Sequence, residues 1–206
     1  MRFIIAGLLL GVYAFAANIP SEFASTGIVP DVLSKAPNEL LSISYKDADG
    51  KEKDVAFGEE LTPTMVKDPP ALAWYNEDSA YYVVAMIDPD APSHEDPKMR
   101  EMLHWLVANV QGGDMSKSET IVEYTGSGPR KDTGLHRYVI LVYKQPGKLS
   151  IDEPRIPKTE RGGRANFAIR NFADKYKLGE PVSGNMFRAQ YDDYVPVLMK
   201  QMGVTE

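Results

Sequence analysis

The sequence predicts a mainly β fold, an antiparallel β-sandwich of two packed sheets with peripheral and C-terminal helices. Three observations carry that expectation. The apolar runs are short and frequent. Fifteen prolines and sixteen glycines punctuate 206 residues, a density that suits strands and corners better than a helical bundle. Segments with a helical apolar period stand near the C-terminus. No internal repeat, low-complexity tract or composition shift divides the chain, which reads as one domain after its first residues.

Those first residues are read apart from the fold. Met1-Arg2 supplies a positive charge, Phe3 to Phe15 is apolar, and Ala14-Phe15-Ala16 fits a small-x-small cleavage site. Residues 1–16 are therefore expected to be a secretory signal peptide, cleaved near Ala16 or Ala17, with the domain at 17–206. A transmembrane span needs about 20 apolar residues, and Asn18, Pro20 and Glu22 end this run sooner.

Each element then has its local reason. Ser21 to Ala36 reads as a helix-containing entry, with Pro30 and Asp31 placed for a helix start. Leu41, Ile43 and Tyr45 alternate along a strand, Asp49-Gly50 gives a hairpin turn, and Val55 to Phe57 is the expected return. Thr62 to Pro70 is a proline-bearing connection. Ala71 to Tyr75, Tyr81 to Ile87, Leu103 to Val110, Ile121 to Tyr124, Arg137 to Lys144 and Asn185 to Tyr191 read as strands. Ala165, Ala168, Ile169, Phe172, Ala173 and Tyr176 form one face of a helix expected over 164–177. A last helix, capped by Asp193, carries Val195, Leu198, Met199 and Met202 on its apolar face.

A net charge of −6 excludes nucleic-acid binding through a broadly basic face. The absence of cysteine excludes thiol catalysis, cysteine-ligated zinc and disulfides. No Asn-x-Ser/Thr sequon occurs, and no HExxH, GxSxG or P-loop pattern is present.

The candidate chemistry gathers at three stretches. Asp88-Pro89-Asp90-Ala91-Pro92 follows a buried strand, and its prolines stiffen the corner. Residues i and i+2 of an extended backbone share a side, so both carboxylates can face one pocket. His104 sits inside an apolar strand. Gly126-Ser127-Gly128-Pro129 leads through Gly134-Leu135 into His136-Arg137-Tyr138. Its glycines can expose N–H groups as an anion-binding nest, and His136 and Tyr138 share one strand face. The bland alternative is a surface turn, two satisfied core histidines and a flexible loop. Two aspartates and two histidines also admit a metal-dependent hydrolase, but carboxylates two apart in a rigid corner do not normally straddle a glycosidic bond. His94, in a polar loop, reads as solvated.

These motifs, with the tail Tyr191-Asp192-Asp193-Tyr194-Val195-Pro196, resemble the phosphatidylethanolamine-binding proteins, the group that includes Raf kinase inhibitor protein and the plant flowering regulators. The resemblance runs from about Ile28 to Met202. It implies that family's sandwich-like fold and a small anion pocket lined by Asp88, Asp90, Pro92, His104, Gly126, Gly128, Pro129, His136 and Tyr138. It implies no catalytic residue, metal or cofactor. Its implied ligands are phosphate, acetate or a phosphorylethanolamine headgroup, with a phospholipid surface and a protease or signalling protein as further candidate partners, and no nucleic acid. Met99, Met199 and Met202 stand where mammalian members carry tyrosine, tyrosine and leucine, which implies a more apolar rim. The apolar N-terminus departs from the cytosolic members and is similar to secreted ones such as those of parasitic worms.

Overall fold

The longest apolar runs become the central strands of the computed structural model, which describes residues 19–47 and 49–204. The segment read as a signal peptide lies outside the described residues. The strands are β1 Glu39–Leu40, β2 Ser42–Lys46, β3 Glu52–Asp54, β4 Glu59–Glu60, β5 Ala71–Ala73, β6 Tyr81–Asp88, β7 Met102–Gln111, β8 Glu119–Val122, β9 His136–Lys144 and β10 Ser183–Ala189. The helices are α1 Ile19–Ser25, a kinked turn α2 Ile28–Asp31, α3 Ile169–Lys175 and α4 Val195–Gln201.

The large sheet has the order β1-β10-β9-β6-β7-β8, and the small sheet the order β3-β2-β5. Pairing is antiparallel except where β1 and β4 run parallel to β10. β6, β7 and β9 are buried along nearly their whole length, on both faces. That burial explains their continuous apolar runs. One face packs Val83, Ala85, Leu141 and Tyr143 against Phe23 of α1 and Ile169 and Phe172 of α3. The other packs Val84, Met86, Tyr138 and Ile140 against Ile43 and Tyr45 of β2, and Val55 beyond β3. The molecule is thus three layers: small sheet, large sheet, helices.

Several elements differ from the sequence reading. Helix α1 starts well before Pro30 and Asp31, which end α2. The return strand β3 precedes Val55, which serves as a core residue. The strand expected over Ala71 to Tyr75 ends at Ala73 and belongs to the small sheet, not to that of Tyr81–Asp88. Helix α3 covers only half of 164–177. Residues 164–167 instead form a turn, with Asn166 at φ 61°, held against 99–103 through Leu103 N–H to Arg164 O at 2.8 Å and the reciprocal Glu101–Phe167 pair at 2.8 and 2.9 Å. At α4 it is Asp192, not Asp193, that accepts from the Tyr194 N–H at 2.9 Å. Asp192 also takes the N–H and hydroxyl of Thr64 at 2.9 and 2.7 Å, which ties the terminal helix to the 62–70 connection.

Candidate functional site: a cationic pit at the strand ends

The site gathers where β6 ends, β7 begins and β9 enters. Along β6 and β7, Met86 pairs with Trp105 but Ile87 pairs with Leu103, so His104 is the extra residue of a β-bulge. A bulge re-aims a side chain, and here it turns His104 toward the mouth of the sheet. On β9, His136 and Tyr138 share a face by strand alternation. Tyr138 stacks on Phe187 at 5.2 Å and 13° and on His136 at 6.4 Å and 15°, while His104 meets it edge-on at 5.2 Å. The loop after β8 is pinned by the Tyr124 hydroxyl, which donates to Val66 O at 2.7 Å.

Between these elements lies a cavity of about 50 Å³. A single buried water needs only ~10–15 Å³, so this is room for a few water-sized groups, the scale of a small oxyanion. Asp88, Pro92, His104, Gly126, Gly128, His136 and Tyr138 line it, with Arg130, Arg161 and Arg164 on one side and Leu198, Met199 and Met202 of α4 on the other.

The hydrogen bonds divide the two histidines. His136 is saturated: Nδ1 is 2.8 Å from Asp88 Oδ2, and Nε2 is 3.0 Å from Thr133 Oγ1. His104 uses only Nδ1, which lies 3.1 and 3.0 Å from the carbonyls of Thr125 and Gly126. Its buried Nε2 has no partner, and neither does the buried Tyr138 hydroxyl. That hydroxyl faces the Asp88 carboxylate and the Gly128 N–H without a formed bond to either; burial first, then the Asp88 charge, pushes its pKa far up. Buried polar atoms are nearly always satisfied, so these two atoms at one small cavity are left to a water or a ligand.

Charge points the same way. Arg164 is 1 % exposed. Its guanidinium donates to five carbonyls, those of Glu160, Leu103, His104, Glu123 and Pro157, and lies 3.4 Å from Thr125 Oγ1. Among the described residues no carboxylate forms an ion pair with it, nor with Arg130 or Arg161 at the mouth, although the charges of Glu123 and Glu160 act on Arg164 from nearby. Burial lowers the Arg164 pKa to about 10, which leaves it cationic at neutral pH. Arg161 is lowered by burial and then by the neighbouring Arg130 charge, the sign of like charges left uncompensated. An acidic chain therefore presents a positive pit, because local charge rather than net charge sets the field in a cleft.

Seven of the nine residues named from sequence line the cavity; Asp90 and Pro129 do not. Asp90 is fully buried on the far side of β9. It accepts from the Arg137 backbone N–H at 2.9 Å and from Nε and Nη2 at 2.8 and 2.6 Å. The two carboxylates diverge because the chain turns after Asp88, and the Asp90 N–H itself donates to Asp88 Oδ1 at 2.7 Å. Asp90 thus fixes Asp88 from behind. Burial alone would raise its pKa, but Arg137 and then His94 outweigh it and hold Asp90 at about 2. His94 is consequently not merely solvated: it lies 2.9 Å from Asp90 Oδ1. The nest is not formed either. Gly126 and Gly128 lack the positive φ that a nest alternates, which in this loop occurs only at Asp132 and Gly134. Their glycine requirement is close approach: a Cβ on Gly126 would sit 2.5 Å from Val66 O, and one on Gly128 2.9 Å from Leu198 Cδ2.

Sequence reasoning missed Arg130, Arg161, Arg164 and Thr133. The one available signal was Arg161-Gly162-Gly163-Arg164, whose glycine pair argues against a helix starting at Arg164. Of the rim methionines, Met199 and Met202 line the cavity. Met99 stands beside it, with Arg161 Nη2 3.9 Å from its sulfur. Among the described residues no three His, Asp or Glu side chains converge as a metal-ligand set.

Comparisons with known proteins identify the family and the fold. The family model for phosphatidylethanolamine-binding protein matches residues 48–188. A Drosophila melanogaster protein bearing the provisional name odorant-binding protein A5 is 44% identical over 190 residues, 92% of this chain and 89% of its own. The solution structure of CG7054 is similar at TM-score 0.67 and 47% identity, covering 85% of this chain and 97% of that one. A carboxypeptidase Y inhibitor, seen with its cognate proteinase, is similar at TM-score 0.69 and 25% identity, covering 86% and 97%. A saturated Asp88–His136 pair, a bulged His104 and a glycine loop closing one small pit thus sit on a shared fold, and the chain belongs to the phosphatidylethanolamine-binding protein family.

Proposed function

We propose that the protein is a secreted, non-enzymatic binding protein for small phosphate-bearing headgroups, phosphorylethanolamine among them. The observation that carries this reading is the excess of unpaired cations, Arg130, Arg161 and the buried Arg164, around a phosphate-sized cavity. Arg164 has its N–H groups occupied by carbonyls, so it acts through its field. Tyr138 and the mouth arginines supply the donors. The apolar wall of Leu198, Met199 and Met202 can lie against the carbon portion of such a ligand, and against a lipid when the headgroup belongs to one. Secretion rests on the signal-peptide reading of residues 1–16, and the name of the odorant-binding relative is consistent with carriage of small molecules.

Binding only the native state stabilises it by about 2.7 kcal/mol at a hundredfold excess over Kd. For a chain of this size that raises Tm by about 5–10 °C. A thermal-shift titration with phosphorylethanolamine should show this rise in the wild type and lose most of it in Tyr138→Phe, which keeps the ring and removes the hydroxyl. An unmoved Tm at saturating ligand would defeat the reading.

A second reading, inhibition of a protease or signalling protein with the pit as a docking site, is favoured by the likeness to the carboxypeptidase Y inhibitor. It predicts slowed hydrolysis by a serine carboxypeptidase in the presence of this protein; undiminished rates at micromolar concentrations would remove it.

A further inference from the structure

A second cavity, of about 470 Å³, adjoins the pit, and Thr125, Gly126 and Leu198 line both. The pit has room for an oxyanion and little more, whereas small-molecule sites span ~300–1,000 Å³. The walls of the larger cavity are fixed from several sides. Gly126 lies directly on the 62–70 connection, where a Cβ would stand 3.1 Å from the Lys67 Cα. Tyr124 is held by its bond to Val66 O, and Asp192 ties the start of α4 to Thr64. Toward the pit, α4 presents Leu198, Met199 and Met202; toward the second cavity it presents Leu198 and Gln201. Leu198 therefore stands between an apolar flank of the pit and a polar one.

The polar flank is rich in donors. Lys67 and Lys158 reach it from separate loops, and neither forms an ion pair among the described residues. Among those residues, Asp68 is the one carboxylate and Leu198 the one aliphatic side chain that line it. An acyl chain would find little apolar wall there. The two ammoniums only donate and attract negative charge, while the carboxylate only accepts. Asp68 would repel a bare anion but takes hydrogen bonds from hydroxyls. That mixture suits a hydroxylated group that also carries negative charge, and the rings of Tyr124 and Tyr194 can lie against its C–H face.

We propose that this cavity is an accessory subsite for a phosphorylated polyol. A phosphodiester places its diester phosphate in the pit, its glycerol arm along Met199 and Met202, and its polyol, with a second phosphate, between Lys67 and Lys158. The inference rests on the phosphate-headgroup reading and deepens it: phosphorylethanolamine uses the pit alone, and a larger headgroup uses both cavities. A lipid headgroup and its soluble deacylated form offer the same chemistry.

The test compares diesters that share the glycerol arm: glycerophosphoethanolamine, glycerophosphoinositol and glycerophosphoinositol 4-phosphate. Each is titrated calorimetrically at constant ionic strength, beside inorganic phosphate. Affinity should rise in that order, with the 4-phosphate bound roughly tenfold tighter than glycerophosphoethanolamine. A variant carrying Lys67→Gln and Lys158→Gln should lose that gain and bind inorganic phosphate as the wild type does. Gln201→Trp fills the cavity from an exposed helix position without changing charge, and should lose the gain too, which separates occupancy of the cavity from general attraction to a basic mouth. Sedimentation with phosphatidylcholine vesicles, with and without phosphatidylinositol 4-phosphate, tells the sources apart. Capture by the phosphorylated vesicles supports the subsite with a lipid as ligand, and binding of the soluble diester alone supports it with the free headgroup. Equal affinity for the diesters, with phosphate binding intact, would overturn the subsite and leave the headgroup reading standing. So would a gain that survives in either variant. Binding of neither phosphate nor any diester would overturn the headgroup reading and the subsite with it.

Discussion

His104 and His136 are alike in the sequence, each a histidine in an apolar strand, and opposite in the fold. His136 spends both nitrogens on Asp88 and Thr133 and so holds the carboxylate in place. His104, displaced by the bulge, leaves Nε2 without a partner among the described residues. Residue type and strand alternation brought both histidines and Tyr138 to notice. Their division of labour was not legible, because it depends on a one-residue register shift and on carbonyls distant in the chain. The arginines were illegible for a similar reason: a charged residue in a polar stretch reads as solvated until tertiary contacts bury it. Arg130 and Arg161 give the direct test at this scale. Replacing either with Gln should weaken phosphate binding roughly three- to tenfold, flatten its salt dependence, and leave Tm nearly unchanged, since mouth charges are screened and carry little stability. Calorimetry at two salt concentrations, beside a melting curve, reads all three. An unchanged affinity would show that the mouth cations do not meet the ligand.

Strands β6, β7 and β9 were legible as long β-rich runs, and their positions differ from the sequence reading by about a residue at each end. Helix α3 was legible but read too long, because its amphipathic period continues into residues that the fold uses otherwise. Arg164 is drawn to five carbonyls, and 164–167 pair with 99–103. The glycine loop was recognised for the wrong reason. Its glycines permit contact rather than a nest, and the two contacts differ in what can yield. Gly126→Ala would press a Cβ onto the backbone oxygen of Val66 at 2.5 Å, whereas Gly128→Ala meets the flexible ends of Leu198 and Met199 at 2.9 and 3.0 Å. Gly126→Ala should therefore destabilise by about 1–3 kcal/mol. Gly128→Ala should cost less than that and instead displace α4 and alter ligand affinity. Adding Leu198→Ala should restore affinity to the Gly128 variant. Urea melts and titrations of the three variants decide it, and equal destabilisation by both glycine replacements would contradict the geometry.

At the scale of the whole molecule, two of the buried carboxyls, Asp90 and Glu101, sit in opposite electrostatic settings. Asp90 is held at about 2 by Arg137 and His94 despite its burial. An unfolded aspartate titrates near ~3.9, so this pair's stabilisation is present above about pH 4 and is lost as pH falls toward 2. Glu101, which accepts from the Ile169 N–H at 2.9 Å at the start of α3, is raised to about 7, by burial first, against that N–H and the charges of Arg100 and Arg170. Its contribution is present below the unfolded value of ~4.3 and is lost as pH rises toward 7, about 3 kcal/mol across the window. Glu101→Gln keeps an acceptor for Ile169 and cannot ionise. Its Tm profile should be flatter than the wild type's between about pH 4 and 7, and parallel profiles would refute the assignment. The packing of two sheets followed from the short apolar runs; the helical layer and the second core beneath it did not, because a run buried on both faces carries no period that says what covers each face, and the parallel additions of β1 and β4 to β10 involve strands too short to carry a pattern.

The central claim is that one small pit, framed by His104, Tyr138 and the Gly126–Gly128 loop, binds an oxyanion. The most direct measurement follows backbone and histidine-ring NMR signals of the protein as inorganic phosphate is added at low ionic strength. The predicted result is a saturable shift confined to His104, Thr125, Gly126, Gly128, Tyr138 and the facing residues of α4. Shifts that grow linearly without saturation, or that centre on another part of the surface, would contradict it.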